Sequence, residues 1–190
     1  MNLTDLLVPT FRNMLRTLQG LLDKAEAQLG ADKAEALLSA RLAPDMFSLA
    51  TQIRFAVMQV FDGVRYLRGE PWTAELDEIL AEGRNAGENP GTLAEARARI
   101  DQALARLDTL GHDALDQAPE DEPMALELPS GLVFDLARGQ YARDWVLGQF
   151  YFHVMAAYAI LRKEGIEIGK RDYVPHMFPY IRPGTMPARE

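Results

Sequence analysis

Three histidines are the side chains with the widest chemical reach in this chain of 190 residues, and no cysteine accompanies them. Without a thiol there is no nucleophilic sulfur, no thiolate metal site and no disulfide framework. What remains is imidazole, either as a metal ligand or as a group that titrates near neutrality. His112 follows Gly111, His153 lies inside the apolar run 141–162, and His176 falls in a proline-rich tail. A zinc or nickel centre built from histidines needs converging ligands, usually with two imidazoles on one helical face. No His-x-x-x-His pair occurs, so the expectation is no metal and no cofactor. Glycine-rich phosphate loops, Gly-x-Ser-x-Gly elbows and Glu-x-x-His patterns are missing too, which leaves nucleotide-binding, serine-hydrolase and di-iron chemistries without residues to stand on.

His153 then has two readings. It is a core histidine whose ring nitrogens are satisfied by neighbours, since buried polar groups are paired. Or it is a ligand-contacting or acid-base residue in a small pocket between helices. On a helix, Trp145, Gln149, Phe152, His153, Ala156 and Ile160 share a face, which therefore carries both polar groups from the middle of the run. Asp45, Gln52 and Gln59 recur every seven residues and trace a polar line along another helix. If the two faces meet, His153, Gln52, Gln149 and Asp45 converge with Trp145 beside them as a small-molecule site in an apolar surround. The aromatic group Trp145, Phe150, Tyr151, Phe152 and Tyr158 reads as packing, because aromatics bury large area at small entropic cost.

Elements must position these residues. Leu7, Phe11, Met14, Leu18, Leu21 and Ala25 alternate in steps of four and three, predicting a first helix over 3–29 with Pro9 near its start and Gly30 as C-terminal cap. Asp32 and Glu35 make a capping-box pattern for a short extra turn through Leu38. Pro44 as a first-turn proline, with Asp45 beside the positive end of the dipole, starts a second helix that runs to about Leu67. The connection 72–91 holds one short helix around 74–81, and is long enough to return the chain so that helices two and three run parallel. Thr92 and Glu95 cap a third helix that buries Leu93, Ala96, Ile100, Ala103, Leu104, Leu107 and Leu110.

The apolar period then changes to two. Met124, Leu126 and Leu128, followed by Leu132, Phe134 and Leu136, flank Pro129-Ser130-Gly131 as a β-hairpin. Tyr141–Arg162 is the fourth helix, apolar nearly all round and so expected at the centre of the assembly, with Phe152 in its core. Ile166–Tyr173 is a strap. Beyond it Pro175, Pro179, Pro183 and Pro187 predict an extended arm, which Met177, Phe178, Tyr180 and Ile181 make fit to dock on a neighbouring subunit. The fold class is all-α, a four-helix bundle with a small β-hairpin between helices three and four. It occupies 1–173, with a proline-rich arm over 174–190.

A formal net charge of -8 without a basic stripe argues against nucleic acid and anionic membrane surfaces. The run Trp145–Leu161 is at the short limit for a span and has Gln149 and His153 at its centre, so no membrane is expected. The N-terminus MNLTDLL lacks the pattern of a secretory signal, and an unprocessed, cytoplasmic protein is expected.

RLAPDMF (Arg41 to Phe47) with Gln52 after it, FYFHV with AYAILR (Phe150 to Arg162), and GKRDY (Gly169 to Tyr173) resemble an uncharacterised bacterial domain-of-unknown-function family of the DinB/YfiT-like superfamily. The resemblance covers Leu3 to Tyr173. It implies a four-helix bundle of up-down-down-up topology and often a homodimer. Many superfamily members hold a divalent metal through one histidine on helix two and a His-x-x-x-His pair on helix four, and some are thiol-dependent transferases. Here only His153 matches, with Gln149 and Ala157 four residues to either side, and helix two offers Asp45, Gln52 and Gln59 instead of histidine. The resemblance thus implies a degenerate metal site and a bundle that binds a small molecule or a partner near His153. The alternatives are a divalent-metal-dependent thiol transferase and a structural homodimer without ligand; the residues leave enzyme and binding protein both open.

Overall fold

The structure, a computed structural model, describes residues 2–185. It is mostly helical, with a two-stranded antiparallel sheet. Helix α1 (Leu3–Leu29) begins where Asn2 accepts a hydrogen bond from the Asp5 amide. Its first turn is also capped from a distance: Asp116 accepts from the amides of Leu3 (2.6 Å) and Thr4 (3.0 Å) and from the Thr4 hydroxyl. Those amides have no partner inside the helix, so a carboxylate there answers both their hydrogen-bonding need and the helix dipole. Gly30, at φ 80°, closes α1 by donating to the Glu26 carbonyl. Helix α2 (Ala31–Ala36) and a 3-10 turn over Leu37–Ser39 follow. Glu35, expected to cap its own turn, instead accepts from the Leu93 amide at 3.1 Å, where the third long helix starts.

Helix α3 (Leu49–Leu67) starts later than expected. Pro44 and Asp45 sit in a turn closed by the Met46 amide on the Ala43 carbonyl (3.0 Å), because proline presets the second position of such a turn. The cap is Ser48, whose hydroxyl accepts from the Thr51 amide. Helix α4 (Ala74–Asn85) is longer than its expected 74–81 and is capped by Thr73. Helix α5 (Leu93–Asp108) has the expected reciprocal box between Thr92 and Glu95.

Strands β1 (Pro123–Glu127) and β2 (Val133–Ala137) form the expected hairpin, with Leu126 opposite Phe134 and Met124 opposite Leu136. Helix α6 (Arg138–Gln140) leads into a π-helical stretch over Tyr141–Val146 and then α7 (Leu147–Lys163), which Gly165 ends at φ 85°. Ile166 and Ile168 tuck into the core as the strap, and α8 (Lys170–Tyr173) completes it. The tail is not extended throughout: Pro175–Tyr180 winds a 3-10 turn, opened by a proline whose missing amide hydrogen costs nothing at a helix start. Pro187 and the end of the arm lie outside the described residues.

α3, not α7, is the enclosed helix. It packs against α1, α4, α5 and α7, and its buried face includes Ser48, Thr51, Gln52 and Arg54. α7 touches α1 and α3 but turns Tyr151, Phe152 and Met155 to the outside at 40%, 57% and 48% exposure, so Phe152 is not a core residue. An apolar composition permits burial without requiring it. The core side of α7 is Phe150, Val154, Ala157, Ile160 and Leu161, with Phe150 edge-on to Phe11 of α1 at 4.9 Å. Among the described residues no helix is long and apolar enough to cross a membrane.

Candidate functional site

α3 and α7 approach closely because Gly63 has no side chain: a Cβ there would meet Val146 Cγ1 at 2.7 Å. Along this pair opens a cleft of about 760 Å³, lined by both helices, the 45–47 turn, α4 and the tip of the hairpin at Leu126–Pro129. His153, Gln52, Gln149, Asp45 and Trp145 all line it.

His153 is 6% exposed, and its Nδ1 lies 2.8 Å from Gln52 Oε1. The Gln52 amide nitrogen donates to the Phe47 carbonyl, which turns Oε1 toward the ring. Nδ1 therefore carries the hydrogen and donates, and Nε2 presents its lone pair. Nε2 has no hydrogen-bond partner among the described residues. Burial lowers the His153 pKa from 6.5 to about 4, so the ring is neutral at physiological pH. Phe55 and Phe152 stand edge-on to it at 5.4 and 5.3 Å. The two readings of this residue apply to different ring nitrogens: one is satisfied as in a core histidine, the other is free.

Gln149 lies one turn before His153, half-buried and without a hydrogen-bond partner among the described residues. One turn earlier, in the π-helical stretch, Trp145 packs on Phe134 of β2 at 5.7 Å. Asp45 is exposed at the rim. Its turn is held by Arg41, which donates to the carbonyls of Met46 (2.9 Å) and Gly87 (3.4 Å), while the Arg41 carbonyl accepts from Lys163. The RLAPDMF segment therefore shapes one edge of the cleft.

Several lining residues were not anticipated. Arg65 binds Asp62 and the Glu70 carbonyl and lies over the rings of Tyr66 and Trp72 at 5.2 and 5.3 Å. Tyr66 in turn donates its hydroxyl to the Ala125 carbonyl of β1, tying the hairpin to α3. Gln52, Phe55, Gln59, Asp62 and Tyr66 are spaced three and four apart, a helical face the sequence already displayed. Nothing local announced Trp72, Arg84 or Glu127, which reach the cleft only through tertiary placement.

His112 and His176 do not line the cleft; His112 is exposed and bonds Asp113 at 2.7 Å. Among the described residues no three or more His, Asp or Glu side chains are grouped to hold a metal ion. The cleft's donor set is one imidazole, already committed through Nδ1, beside amides and the carboxylates of Asp45, Asp62 and Glu127. That set does not fit a three-imidazole divalent centre. What the site offers is a neutral acceptor in an aromatic-walled space of small-molecule size.

A profile of the domain of unknown function DUF1993 matches residues 3–174. Among solved structures, the chain is similar to a DinB family member protein from Shewanella denitrificans known from a crystal structure. Identity is 30% and the TM-score 0.72, over 99% of this chain and 95% of that one. No curated protein matches the chain.

Proposed function

The chain belongs to DUF1993, an uncharacterised DinB-like family, and we propose that it binds a small molecule in the α3–α7 cleft, anchored by His153 and Gln52 without a metal. The observation that carries this reading is the His153–Gln52 pair on the cleft wall, which leaves Nε2 as an uncharged acceptor without a protein partner among the described residues. Asp45, Gln149 and Trp145 complete the polar and aromatic contacts.

The frame we propose for the site is a four-helix bundle of α1, α3, α5 and α7 with up-down-down-up topology. Its supports are the cross-helix contacts: Arg12 with Asp108 and Arg97 with Glu26 run α5 against α1, Gln52 with His153 and Gly63 with Val146 run α7 against α3, and Phe11 with Phe150 and Gln28 with Glu167 run α7 and the strap after it along α1. Among the described residues, 2–173 form this unit and 174–185 are an appendage to it.

Thermal-shift screening of a small-molecule library, alongside native mass spectrometry of freshly purified protein, tests the binding reading. A ligand at a hundredfold its Kd adds about 2.7 kcal/mol, which is a Tm rise of several degrees for a domain of this size. The rise should vanish in His153→Leu. A ligand whose effect survives both His153→Leu and Gln52→Leu would place binding elsewhere.

A homodimer is a second reading, favoured by one observation: Tyr151, Phe152 and Met155 expose a contiguous apolar side of α7, and Phe47 is exposed at the cleft rim. Met155→Glu should then give monomer in sedimentation velocity. Trimming after Tyr173 should weaken the dimer if Met177 and Tyr180 of the arm, both exposed, contribute. Unchanged sedimentation of both variants would remove α7 and the arm from any interface.

A further inference from the structure

Resting on the reading of the α3–α7 cleft as a binding site, we infer that its ligand is an apolar molecule ending in a protonated amine, which donates to His153 Nε2 and is rejected when the amine is replaced by a carboxylate. His153 is fixed by Gln52 as a donor through Nδ1, so its other nitrogen, Nε2, can only accept, and the residue lines the cleft. A carboxylate there would set lone pairs against a lone pair. An ammonium presents three N–H groups to it, and because an alkylamine holds its proton far more tightly than this imidazole does, the charge stays on the ligand.

The surrounding charge points the same way. The cleft is lined by three carboxylates, Asp45, Asp62 and Glu127, against two guanidiniums, Arg65 and Arg84. Arg65 is already held by Asp62 and by the Glu70 carbonyl, and it stacks on two rings. Asp45 and Glu127 have no ion-pair partner among the described residues, so two uncommitted negative charges face one uncommitted positive charge, that of the exposed Arg84 on α4. Gln149, likewise without a partner, can turn its carbonyl toward a second N–H. The walls supply aromatic rings, whose electron-rich faces attract cations and repel anions. Acceptor, rim charge and ring faces are three separate features that agree on the sign of the ligand.

Isothermal titration of the intact protein at pH 7 with 2-phenylethylamine, 2-phenylethanol and phenylacetate tests this, because the three share a ring and differ at the head group. The amine should bind at least about tenfold more tightly than the alcohol, as a charge-assisted hydrogen bond exceeds a neutral one, and phenylacetate should give no heat. His153→Leu should remove the preference for the amine. Should that variant not fold, Asp45→Asn combined with Glu127→Gln should cut amine affinity severalfold while leaving the alcohol unaffected. Equal affinities, or phenylacetate binding best, overturns the amine assignment but leaves the cleft as a binding site. Silence from all three probes, together with no hit in the library screen, removes the binding reading and this inference with it.

Discussion

By composition α7 is the more apolar helix, and by position α3 is the more enclosed. α3 buries Gln52 and Arg54 and packs against four neighbouring helices, opening only along the cleft, whereas α7 leaves Tyr151, Phe152 and Met155 in solvent. The polar side chains of α3 are tolerable inside because most of their polar atoms are partnered, Arg54 Nε alone among them being buried without a hydrogen bond. Arg54 donates to the Ala50 carbonyl at 3.2 Å and lies 3.5 Å from Glu82, and Gln52 bridges Phe47 and His153. The lesson is that enclosure follows the number of packing partners, while exposed apolar side chains on a well-packed helix are affordable and can serve recognition.

The largest effect that sharpens this contrast is on α7 itself. Phe150→Ala should lower stability by about 3–5 kcal/mol, while Phe152→Ala, two residues away, should lie within about 1 kcal/mol. Urea denaturation of the two variants reads the difference, and equal losses would mean that the two faces of α7 are not distinct. Next comes the contact between the helices: Gly63→Ala pushes a methyl group into Val146 and should cost about 1–3 kcal/mol. Gln52→Leu strands the His153 Nδ1 hydrogen and should cost a similar or smaller amount, about 1–3 kcal/mol, whereas Gln149→Leu should be near neutral because Gln149 has no partner to lose.

Smallest at neutral pH is the titration of His153. With the folded pKa at about 4 and the ordinary value at 6.5, the unfolded chain binds the proton first as pH falls. The stability that His153 confers is therefore complete above pH 6.5 and is lost progressively down to about 4. His153→Leu should flatten that part of the stability curve relative to wild type. Superimposable slopes would place the ring in water.

How far the sequence could be read differs between these two helices as well. Helix α1, the Thr92–Glu95 cap and the hairpin were legible because each depends on neighbours in the chain: apolar period, capping chemistry, and a turn with Gly131 at φ 82°. The meeting of the Gln52 and His153 faces was legible as a condition, since both polar lines were visible but their pairing was not. The start of α3 was misplaced because Pro44 suits a turn as well as a first helical turn, and only the Ser48 cap separates the two. The centrality of α3 and the contributions of Trp72, Arg84 and Glu127 were not legible, since they follow from where α4 and the hairpin dock, which no local pattern encodes.

The π-helical stretch at Tyr141–Val146 has a consequence for how this site can change over time. The wider turn there accommodates an extra residue without rotating what lies before it relative to what lies after it. Deleting one residue there would restore regular winding and leave the hairpin and His153 at nearly their present angles around the axis, because the wide turn already absorbs one residue. A single codon could thereby be gained or lost beside Trp145 while the hairpin, the imidazole and its glutamine stayed where they are.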